Sequence, residues 1–123
     1  MLGQPTIIPR GGEQKDDLVY VKDVAQGIVK ACFAENLKSR FFHVASGNLV
    51  TIRDFAKAVK KLYPQAAIEV GDGLDYLGRP RYALFDISRA REQLGYEPEY
   101  GLERGIKDYI DTMKHLGIQP RAS

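Results

Sequence analysis

The chain contains one cysteine, no tryptophan, two histidines and almost no net charge, and each scarcity excludes something. The lone thiol, Cys32, can form no internal disulfide, so no cystine framework holds the fold and the expected compartment is reducing, hence cytoplasmic. His43 and His115 lie far apart, with no His or Cys three or four positions on, so a zinc site is not expected. Eighteen Lys and Arg against sixteen Asp and Glu leave a charge of +2, too little for the phosphate contacts that drive nucleic-acid binding. No apolar run approaches the roughly 20 residues of a membrane span, and the N-terminus lacks the basic-then-apolar order of a signal peptide, so neither membrane insertion nor export is expected. Walker, G-x-S-x-G and G-x-x-G-x-x-G sequences are also missing, and no catalytic residue can be assigned.

What remains is 123 residues, 44% hydrophobic and 28% charged, enough for one globular domain or a piece of one. Residues 18–21, Leu-Val-Tyr-Val, follow a polar stretch and predict a short strand. Val21, Val24, Ala25, Ile28, Val29 and Cys32 then recur at helical spacing over 22–34, with Asp23 in the first turn, where its charge suits the helix dipole. Cys32 on that face is expected to be a small buried hydrophobe. Phe41–Ala45 is nearly all apolar, as a strand covered on both sides would be, so strand, helix and strand predict a right-handed βαβ unit.

Thr51, with Asp54 three residues on, predicts a capped helix to about Tyr63, stopped by Pro64, with Ile52, Phe55, Ala56, Val59, Leu62 and Tyr63 on its apolar face. Ile68–Val70 predicts a strand, and residues 71–81, with three glycines and a proline, a long loop. Gly71-Asp72-Gly73 with Gly78 faintly suggests a phosphate loop, but that device ends at a helix N-terminus and here Arg79-Pro80 follows, which favours a flexible loop. Tyr82–Phe85 predicts a further short strand, and Asp86 caps a helix ending at Gly95. Leu102, Ile106, Tyr109, Ile110, Met113 and Leu116 trace the last helix, stopped by Gly117.

Four arginines, Arg79, Arg81, Arg89 and Arg91, cluster on and after the glycine-containing loop. Guanidinium forks suit phosphates and carboxylates, so Arg79 and Arg81 are candidate clamps for an anionic ligand, with the solvated-loop reading equally open. Arg89 and Arg91 fall in a surface helix, where exposed charge is ordinary. His43 and Tyr20 have two readings each: a core side chain hydrogen-bonded to backbone, or a substrate contact.

Asp17-Leu-Val-Tyr-Val-Lys-Asp23-Val-Ala25, then Phe42-His-Val-Ala-Ser-Gly47 with Val50-Thr51, then Asp86-Ile-Ser88-Arg-Ala90 leading through Leu94-Gly95-Tyr96-x-Pro98 to Leu102-Glu103-x-Gly105-Ile106 resemble, in that order, the C-terminal part of the extended short-chain dehydrogenase/reductase family, the NAD(P)-dependent nucleotide-sugar epimerases and dehydratases. The resemblance spans about residues 10–116. It implies an α/β fold: a partial Rossmann-like βαβ unit, the end of the parallel sheet, in residues 1–48, and a small α+β substrate-binding lobe in residues 49–123. The family's N-terminal cofactor domain, with its glycine motif and catalytic Tyr-x-x-x-Lys, has no counterpart in these residues, so this segment would bind no cofactor and be inactive alone, while the parent uses NAD or NADP. The implied ligand is a nucleotide sugar or other anionic sugar, contacted by Arg79, Arg81, His43 and Tyr20. The implied partners are the missing Rossmann half and, because its absence uncovers strand edges and the helix face around Ile28 and Cys32, a second copy of the chain in a homo-oligomer. Two departures bear on substrate: Asp16 stands where relatives carry a diphosphate-contacting Arg, and His43 where they carry Asn. The competing reading is a stand-alone sugar-binding or protein-interaction module derived from the same lobe.

Overall fold

The computed structural model describes residues 5–74 and 84–118, which fall into two compact units. The first comprises residues 1–15, 51–81 and 102–123, the second residues 16–50 and 82–101.

In the first unit, β1 (Thr6–Ile8) runs parallel to β4 (Ile68–Val70), with Thr6 opposite Ile68 and Ile8 opposite Val70. The pairing continues past the strands, as Gly71 N donates to Ile8 O and Gly12 N to Gly71 O. Glycine is required here: a Cβ on Gly71 would lie 2.0 Å from Pro9 O, and one on Gly12 2.6 Å from Gly71 O. The β-branched run between Pro5 and Pro9 carried the signal for β1, a strand the periodicity analysis did not assign. Helix α2 (Ile52–Leu62) begins with the expected capping box, in which the Thr51 hydroxyl accepts from Asp54 N and the Asp54 carboxylate accepts from Thr51 N. Its next two orphan donors, Ile52 N and Arg53 N, go to Gln14 O and Gly12 O. Helix α4 (Leu102–His115) packs on α2, which also packs on β4. Of the expected apolar faces, Ala56, Ile106 and the half-buried Val59, Leu62, Ile110 and Met113 turn inward, whereas Phe55, Tyr109 and Leu116 stay exposed. Lys61 bridges both carboxylate oxygens of Glu103, at 2.7 and 2.9 Å, and Lys114 sits 5.3 Å from the Tyr63 ring centroid.

In the second unit, helix α1 (Val21–Phe33) and helix α3 (Ser88–Leu94) pack together around Ala45, Ile87, Ala90, Leu94 and Tyr96. Gly95, left-handed at φ 61°, closes α3, with Gly95 N bonded to Arg91 O and Tyr96 N to Ala90 O. Three expectations fail here. Residues 18–20 and 41–45 are not strands, because among the described residues neither finds a strand to pair with, and a parallel ladder exists only between neighbours. The expected strand at 82–85 lies partly outside the described residues, and Leu84 and Phe85 are in none. The two short strands β2 (Lys15–Asp16) and β3 (Val50–Thr51) pair with each other instead.

The third failure is the direction in which α1 faces. The helix spans the expected residues, but its wide apolar stripe points outward: Val21 is 65% exposed, Ile28 57% and Phe33 83%, and Cys32 is exposed as well. The narrow opposite side is buried, led by Asp23 and Gly27. Asp23 is the reason: its carboxylate accepts from Glu99 N at 2.8 Å and Tyr100 N at 3.1 Å, and only burial lets it meet those amides. Gly27 allows the close approach, since a Cβ there would lie 2.7 Å from a Val44 methyl.

Tyr96 is fully buried and donates to Ala45 O at 2.9 Å. Burial, with the nearby Asp23 and Asp17 charges, pushes its phenol up to about 12. Tyr96→Phe keeps the ring but strands a buried carbonyl, and should cost about 1–2 kcal/mol in urea unfolding at pH 7. The unfolded chain releases the phenol proton near pH 10, whereas the folded chain holds it to about 12, so wild-type stability should fall as pH rises through that window. The Phe variant should lack that component, and identical alkaline profiles for the two proteins would contradict this account.

Candidate functional site

Tyr20, at the N-cap of α1, is half-buried and stacks on Tyr100 with ring centroids 4.8 Å apart and planes 35° from parallel. Lys22 places its ammonium 5.8 Å from the Tyr100 centroid. Tyr20 O also receives Asp23 N and Val24 N, which fixes the start of the helix beneath the aromatic pair. His43 is exposed rather than buried at the end of a strand, since no strand forms there. Its ring meets a backbone carbonyl all the same: Nδ1 lies 3.2 Å from Asp86 O, a bond that requires the proton on Nδ1, and Phe85 packs edge-on 5.2 Å away. The structure thus joins Tyr20 to Tyr100, and His43 to Asp86.

Arg79 and Arg81 lie outside the described residues. The other two arginines are engaged within their own unit: Arg91 grips Glu97 with two bonds, 2.8 Å from Nε and 2.7 Å from Nη2, and Arg89 donates to Ser39 Oγ and Phe41 O. The Arg91 fork holds the Glu97 carboxyl below its usual range.

The described start of the glycine-containing loop argues against a phosphate cradle. Gly71 N is spent on Ile8 O, while the carbonyls of Gly71, Asp72 and Gly73 accept from Gly12, Gly11 and Glu13. A cradle needs free amides. Arg53 fastens the segment, donating to Val70 O at 3.1 Å, to Glu13 at 3.0 Å and to Asp72 at 2.6 Å, and its bond lowers the Glu13 pKa. Arg10 adds a bond to Leu74 O. With its first amides given to Thr51, Gln14 and Gly12, the α2 N-terminus offers no anion site either. Among the described residues no group of three or more His, Cys, Asp or Glu could hold a metal, and no helix is long and apolar enough to cross a membrane.

One arrangement escaped the sequence reading. Asp17 accepts from Ser46 N at 2.8 Å, Ser46 Oγ at 2.5 Å and Gly47 N at 3.1 Å, clasping the turn in which Gly47 is left-handed at φ 70°. Both partners stand in the motif segments quoted above. Their contact spans 29 residues, and no local pattern announces it.

No protein-family model matches the chain. Sequence comparison finds dTDP-L-rhamnose 4-epimerase of Burkholderia thailandensis, 33% identical over 77% of this chain and 26% of that protein. Several of the curated proteins that this chain resembles are nucleotide-sugar epimerases. ADP-L-glycero-D-manno-heptose-6-epimerase of Brachyspira hyodysenteriae is 31% identical over 82% of the chain and 32% of its own length. Among solved structures, UDP-glucuronic acid 4-epimerase from Bacillus cereus, in complex with UDP-glucuronic acid and NAD, matches with a TM-score of 0.74 and 25% identity, over 93% of this chain and 36% of that one. The fold is therefore α/β with Rossmann-type neighbours, as the motifs implied, and the partial coverage fits a C-terminal portion. The chain spans about a quarter to a third of the curated relatives' length.

The Asp17 clasp ties together two segments that carry this likeness. Asp17→Asn leaves one acceptor for three donors and should lower stability by about 1–3 kcal/mol in urea unfolding, with the helical circular-dichroism signal retained. An unchanged midpoint would show that solvent replaces the clasp without cost.

Proposed function

We propose that this chain is the C-terminal substrate-binding segment of an NAD(P)-dependent nucleotide-sugar epimerase or dehydratase, and that it is inactive alone. One observation carries the reading: sequence and fold match these enzymes over most of the chain yet cover only about a third of them, and the chain has neither a Tyr-x-x-x-Lys nor a Rossmann glycine motif. In the parent, NAD or NADP would take hydride from the sugar and return it. Residues 1–48 would continue the Rossmann-like sheet and residues 49–123 form the substrate lobe, each lending a segment to the other's compact unit. The partners would be a Rossmann half and a nucleotide sugar or other anionic sugar, and the compartment, from the single cysteine, the cytoplasm.

The ligand contacts would be Arg79 and Arg81, with Tyr20 and His43 at the edges of the second unit. Tyr20 would present an aromatic face and His43 an exposed ring whose Nε2 is left as an acceptor by the Nδ1 bond.

Calorimetry of the purified chain with NAD should detect no micromolar site, because cofactor binding in this fold needs amides of a glycine turn at a helix N-terminus and an acidic ribose partner. One tight site per chain would overturn the claim of inactivity. With UDP-glucuronic acid as probe, Arg79→Ala or Arg81→Ala should weaken binding by roughly 10- to 150-fold, the loss of one charge-assisted phosphate contact at about 1.5–3 kcal/mol. Equal affinity in both variants would remove the two arginines from the site.

A further inference from the structure

We draw no further inference here: the strongest candidate, the outward apolar stripe of α1 in the second unit, led by Val21, Ile28, Val29 and Phe33, carries none, since nothing in the structure shows what covers it.

Discussion

The second unit has extended segments and little sheet, so its backbone amides and carbonyls must be met by side chains. Asp17 takes Ser46 and Gly47, Asp23 takes Glu99 and Tyr100, Gln93 takes Lys38 and Ser39, and Tyr96 donates to Ala45. Each of these bonds spans at least 29 residues. Two consequences follow: a carboxylate is drawn into the interior, and α1 must turn that carboxylate inward. The orientation of the helix and the exposure of its apolar stripe are both set by where Asp23 finds its donors.

The first unit solves the same problem locally. β1 and β4 form a short parallel ladder, extended by glycines whose missing side chains let the two passes touch, and α2 gives its first amides to Thr51, Gln14 and Gly12. Arg53 then locks the ladder to α2 through three acceptors. Such a unit spends the Gly71 amide and the first amides of α2 internally.

These two solutions explain what could be read from the sequence. Helices were legible because capping, glycine stops and 3.6-residue periodicity are local: Thr51 with Asp54, Gly95 and Gly117 all act as the rules require. Strands were legible only where their partner is within the chain, as at Ile68–Val70, and not at 18–20 or 41–45, whose composition reports a two-sided burial that the described residues do not supply. Periodicity gave α1 its face but no direction, because the stripe of Val21 and Ile28 and the position of Asp23 compete, and the winner depends on amides 76 and 77 residues away. Of the candidate ligand contacts, Tyr20 and His43 were identifiable as residues, but their companions Tyr100 and Asp86 came only from the fold.

The burial of Asp23 also bears on how the second unit folds. A 13-residue helix with glycine in its interior is marginal in water, and its buried carboxylate is satisfied only once residues 99 and 100 arrive. That arrival closes a loop of more than seventy residues, and the Tyr96 bond one of fifty-one. Loops of this length are entropically costly before any contact compensates them, so α1 cannot serve as an early local nucleus. The docking of residues 96–100 is what holds α1 in its native orientation and satisfies its buried carboxylate.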